Sequence, residues 1–147
     1  MTFILRKPGL PALCVIALIT GCSDSGPPLT ATDIVAVAPV PGRDFSAAYL
    51  TLHNYSQEPI TIHRLSSPDF SNVEMHESVI ADDVIRMRKL DSLTLDAGTS
   101  VRFVSGGKHL MLMEPKPGLA PDDTVTLRFE YDADGLLIVS TSLKARK

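Results

Sequence analysis

The chain has 147 residues, with 14 lysines and arginines against 17 aspartates and glutamates, for a net charge of −3. That length allows one domain, and a mildly acidic chain without a basic cluster is a poor candidate for binding nucleic acid. Cysteine occurs only at Cys14 and Cys22, so soft-metal or redox chemistry has little thiol to draw on.

Taken in chain order, the first element is built for export. In MTFILRKPGLPALCVIALITGCSDSG, Arg6 and Lys7 form a positive start, and Leu10–Ile19 is an apolar run too short to span a bilayer comfortably. Small residues then precede a cysteine, and Ile19-Thr20-Gly21-Cys22 resembles the lipobox of bacterial lipoproteins. That resemblance implies a signal peptide over residues 1–21, lipidation at Cys22, and a periplasmic protein anchored to the inner or outer membrane. The alternatives are ordinary cleavage near Gly21 or an uncleaved anchor. Each buried CH₂ of an acyl chain contributes about 0.8 kcal/mol, so several chains tether a protein durably. Removing residues 1–21 leaves 126 of the 147, and it takes away two cations and no acid, so the net charge falls from −3 to −5. Residues 22–32 are small, polar and proline-containing after the cysteine, and read as a lipidated N-terminus and flexible tether. The folded domain is then expected over 33–147, without a free thiol.

From Asp33 onward the sequence predicts short strands at Ile34–Val37, Ala47–Asn54, Pro59–Leu65, Asn72–His76, Val84–Lys89, Ser100–Val104, His109–Met113, Thr124–Tyr131 and Leu136–Thr141. Pro41-Gly42, Ser67-Pro68, Asp82-Asp83, Ala97-Gly98, Gly106-Gly107 and Asp132–Gly135 are the expected turns between them. No segment has a convincing helical period. Alternation is clear in AAYLTLHN, where Ala48, Leu50 and Leu52 share one face, and in TVTLRFEY, where Val125, Leu127 and Phe129 do. Many short strands at this spacing point to an antiparallel sandwich or barrel with two stacked sheets.

The stretch GGKHLMLMEPKP places His109, Met111 and Met113 on one face of a strand and Leu110 and Leu112 on the other. The leucines alone suffice for a core. A methionine in a sandwich is ordinarily packing, and a histidine beside it is ordinarily a satisfied polar group. Thioether and imidazole also suit a soft cation in a thiol-free domain.

His76, Met87, His109 and Met111 stand as H-x10-M-x21-H-x-M, and around them SAAYLTLHN, NVEMHES, RMRKL, GGKHLMLM and PGLAPDDTVTLRF follow in order. In these stretches residues 33–142 resemble the periplasmic copper chaperone family called PCu(A)C. The resemblance implies a cupredoxin-like β-sandwich that holds one Cu(I) on His76, His109, Met87 and Met111. It further implies delivery to a cuproenzyme such as the Cu(A) site of cytochrome c oxidase subunit II, or to a thiol-containing assembly factor, with no enzymatic step. The chain departs from many relatives in lacking a tryptophan early in the domain and in the proline-rich EPKPGLAPDD.

Two thioethers and two neutral imidazoles leave Cu(I) its single positive charge and favour it over the harder Cu(II). Because each imidazole must be neutral to bind, affinity should fall in acid. Met75 turns to the opposite face from His76 and is expected in the core, while Met113 is expected to shield the site from water, with an approach to the metal as the alternative. Glu74 shares the face of His76 and is expected as a solvated carboxylate, although a hydrogen bond that orients His76 is the alternative. His53 and His63 are expected at surface or rim positions.

Three other readings compete with this one. A blue-copper electron carrier needs a cysteine thiolate that the domain lacks. A hydrolase would show a G-x-S-x-G or H-E-x-x-H motif, and neither occurs. A lipid-tethered sandwich that binds a partner without metal is the remaining alternative.

Overall fold

The computed structural model describes residues 26–146 apart from 41, 82, 83 and 133. The signal segment and the lipidation site at Cys22 lie outside the described residues. Ten strands follow in order: β1 (Leu29–Val37), β2 (Phe45–Asn54), β3 (Ile60–Ser66), β4 (Phe70–Ala81), β5 (Val84–Leu90), β6 (Leu93–Leu95), β7 (Ser100–Phe103), β8 (Lys108–Pro115), β9 (Thr124–Tyr131) and β10 (Gly135–Lys144). Among the described residues there is no helix.

The all-β expectation holds, with three differences in detail. Strand β1 starts at Leu29, inside the stretch read as tether, because Leu29 is buried in the core and Leu29–Thr32 pair with β2. Strand β6 was not anticipated; three residues are too few for alternation to register, and they are fixed instead by pairing with Ile60–Ile62 of β3. Third, Gly106-Gly107 is not a reversal. Strands β7 and β8 run the same way along one edge of β2, β7 pairing with Leu50–His53 and β8 with Phe45–Ala48. Residues 104–107 loop out between them, closed by Val104 N–H to Lys108 O at 2.7 Å and Gly107 N–H to Val104 O at 3.1 Å. Gly106 has φ 80°, a conformation that costs a glycine nothing.

One sheet runs β5-β4-β8-β2-β1, and the other runs β10-β9-β3-β6. They are joined by a short parallel seam at Ala36 with Leu143 and Val37 with Lys144, so the sandwich is not purely antiparallel. An irregularity between Thr32 and Val35, with Asp33 at φ 54°, interrupts the β1–β2 register ahead of that seam. The inward positions of both layers fill the core: Leu50, Leu52, Met75, Leu110 and Leu112 from the first, Ile62, Val125, Leu127 and Phe129 from the second. Each such side chain contributes roughly 1.5–3 kcal/mol when fully buried. The β4–β5 hairpin runs beyond this core, since every residue of β5 except Leu90 is exposed.

Candidate metal centre

The site begins with alternation on β4 and β8. Met75 is 2% exposed and faces inward, which turns Glu74, His76 and Ser78 outward. On β8, Leu110 and Leu112 are fully buried, which turns His109, Met111 and Met113 the same way. Register then sets His76 directly opposite His109, and Glu74 opposite Met111. The two imidazole centroids are 6.0 Å apart with planes tilted by 38°. Across the other edge of β4, Met87 on β5 stands opposite Ser78, and Lys89 opposite His76. Met87 is therefore diagonal to His76, a separation of about 7–8 Å that a long side chain spans. Met87, His109 and Met111 line one surface cavity of about 220 Å³ together with Phe45, Tyr49 and Ser78. His76 does not line it and adjoins it through the ring of His109.

Hydrogen bonds assign the tautomer of each ring. His109 Nδ1 lies 3.0 Å from the carbonyl oxygen of Gly107, which accepts only, so Nδ1 carries the proton and Nε2 the free lone pair. The same carbonyl accepts the Ser78 N–H at 3.1 Å, which ties the 104–107 loop to β4. His76 is turned the other way. Its Nε2 donates to Glu74 Oε2 at 2.9 Å, leaving the lone pair on Nδ1. Among the described residues, His76 Nδ1 is the one buried side-chain nitrogen or oxygen without a hydrogen-bond partner. A buried unpaired acceptor costs about 1–3 kcal/mol, so this atom is either a liability or a donor waiting for a cation.

Glu74 is a correction to the expectation of a solvated carboxylate. Its side chain is 18% exposed and takes three hydrogen bonds: Lys89 Nζ at 2.7 Å, His76 Nε2 at 2.9 Å and Asn72 Nδ2 at 3.1 Å. The Lys89 bond first, then the His76 bond, hold its pKa at about 2, against the opposing effect of burial. An acid two residues before a histidine on the same strand face was the signal available in the sequence. On the reverse face Glu77 bridges Arg88 at 2.8 Å and Lys108 at 2.7 Å, so β4 is strapped to β5 on both faces and to β8 on one.

Met113 is half-buried beside Phe45 and Asn72 in register, one pleat beyond Met111. His53 is held by Thr32 Oγ1 at 2.9 Å and Ser100 Oγ at 2.7 Å and stacks on Tyr55, at the far end of β2. His63 is exposed on β3 in the other sheet. Both occupy the peripheral positions expected of them. No group of three or more histidine, cysteine, aspartate or glutamate side chains with metal-binding geometry occurs among the described residues. The side chains that the outer face of β4, β5 and β8 does bring near one another include two imidazoles and two thioethers, donor types that suit a soft ion.

The profile of the LpqE-like family matches residues 29–141. The chain belongs to the LpqE-like family. Its fold is that of the PCuAC domains. The copper-bound PCuAC domain from PmoF2 superposes with a TM-score of 0.66 at 17% identity, covering 81% of this chain and 94% of that one. The Cu(I) form of DR1885 from Deinococcus radiodurans gives a TM-score of 0.60 at 26% identity, covering 80% of this chain and 77% of that one. Protein RP573 of Rickettsia prowazekii is 30% identical over 99 residues, 67% of this chain and 55% of that protein. This LpqE-like chain thus spans about half the length of that curated relative.

Proposed function

We propose that this protein is a Cu(I) chaperone of the bacterial cell envelope, holding one copper ion on His76, Met87, His109 and Met111 and passing it to a cuproenzyme. The observation that supports this most is the pair of opposed histidines, which share a sheet face with Met87 and Met111: each has one ring nitrogen tied to an oxygen, which leaves the lone pair on the other nitrogen. Metal-bound histidines are held in this manner. In this reading His76 binds through Nδ1 and His109 through Nε2, while Glu74 and the Gly107 carbonyl fix the rings. Met111 closes the set from β8 and Met87, 65% exposed, from β5.

All four donors are neutral, so the bound ion keeps one positive charge and Cu(I) is favoured. Without a thiolate, the site yields its ion to a thiolate-bearing receiver, such as the Cu(A) site of cytochrome c oxidase subunit II or a thiol-containing assembly factor. Transfer is ligand exchange, and no catalytic step is assigned. Lipidation at Cys22 would keep the domain at the membrane on the periplasmic side, where that receiver is assembled.

The test is a competitive Cu(I) titration against a coloured chelator under reducing conditions, using the full chain in detergent with Cys14→Ser and Cys22→Ser so that no thiol competes. One equivalent is expected, weakened at least about a hundredfold by His109→Ala and by Met111→Leu. A parent chain that leaves the chelator fully loaded overturns the copper reading and returns the site-face methionines to packing.

A further inference from the structure

Met113 is the one methionine after Met1 that neither the core nor the four-donor set employs. Leu110 and Leu112 fill the core from β8, and Met113 is absent from the core cluster and from the side chains packed against it. It lines a second surface cavity of about 390 Å³ with Arg43, Asp44, Phe45, Met111 and Glu114. Met111 and Phe45 also line the cavity that holds Met87 and His109. The two cavities therefore share a wall made of a thioether and an aromatic ring.

We propose that Met113, together with Met111, forms a second thioether station for Cu(I) outside the histidine pair, through which the ion enters and leaves. This rests on the copper reading above. Met111 and Met113 are alternate residues on one strand face, about 7 Å apart along the backbone, within the combined reach of two flexible thioether side chains. Asp44 and Glu114 outnumber Arg43 around the outer cavity, which favours a cation there over an anion. Phe45 lines both cavities, and an aromatic side chain there is compatible with a monovalent cation and with thioether sulfur. In the exchange the Met113 sulfur bonds to Cu(I) while a donor of the inner set, such as Met87, lets go. Met111 stays bound throughout, the ion stays Cu(I), and no proton or electron moves. Thioethers suit the role, since a weak neutral ligand can be added or lost singly.

The experiment measures transfer rate and affinity separately, on the full chain with Cys14→Ser and Cys22→Ser. Stopped-flow mixing of the Cu(I)-loaded chain with excess chelator gives the transfer rate, and equilibrium competition gives the affinity. Met113→Leu, which conserves volume, is expected to slow transfer about tenfold in both directions and to leave the affinity within about threefold. Unchanged rates overturn the proposal and make Met113 a packing residue. An affinity loss equal to that of Met111→Leu also overturns it, making Met113 a permanent ligand. Failure of the parent chain to bind Cu(I) at all would remove the copper reading itself, a result distinct from either.

Discussion

Replacing Glu74 with glutamine removes a charge and preserves an acceptor. The amide oxygen can still receive the His76 Nε2–H, so the ring keeps its tautomer, while the ion pair with Lys89 is lost. The carboxyl is held at about 2 instead of its ordinary 4.5. Taken whole, that difference corresponds to roughly 3.4 kcal/mol. Lys89 is 53% exposed, and screening of a half-exposed pair reduces the expected loss to about 1–2 kcal/mol at pH 7. The sign follows from linkage. A carboxylate with a depressed folded pKa stabilises above the unfolded value of 4.5, and that contribution is lost as pH falls towards 2. Urea unfolding of the metal-free chain at pH 7, 5, 4 and 3 should therefore show a parent–variant gap that is constant down to about pH 5 and narrows below it. A gap of the same size at pH 3 as at pH 7 would refute the assignment of Glu74 as an ionised partner of Lys89 and His76.

The core and one hairpin give sharper expectations. Met75→Ala opens a cavity at a position 2% exposed and should cost about 2–5 kcal/mol in the same urea assay, although its neighbour His76 is untouched. Gly135→Ala places a methyl against the ring of Tyr131, its cross-strand partner, and should lower the melting temperature by a few degrees, an effect that Tyr131→Ser relieves.

Much of the layout could be read from particular residues. Ala48, Leu50 and Leu52 declare the inward face of β2, and Leu110 and Leu112 that of β8, because each strand has one buried and one open side. That alternation already placed His109, Met111 and Met113 together. What brings Met87 close is register between β4 and β5, which no local pattern encodes; only the family spacing pointed to it. The parallel seam of β1 with β10 joins Ala36 to Leu143, residues at opposite ends of the domain, with no local signature at either end. Strand β6 was too short to announce itself, and Leu29 was hidden among tether-like neighbours. The bond from His76 to Glu74 was within reach of strand geometry. An isolated carboxylate on an outer face is ordinarily wet, however, and the Lys89 contact that draws Glu74 down depends on the same cross-strand register.

The four candidate donors are unequally anchored. His76, His109 and Met111 stand on strands whose other faces are driven into the core, whereas Met87 rides on the outermost strand, paired on one side only and exposed along nearly its whole length. Segments of this kind open locally at a free energy well below that of global unfolding, and β5 amides are expected to exchange hydrogen long before those of β8. In the copper reading, local opening of β5 would carry Met87 away while His76, His109 and Met111 keep their places. A cage of four equally rigid walls would have to break in order to empty, whereas one with a wall on an edge strand would open as a door does.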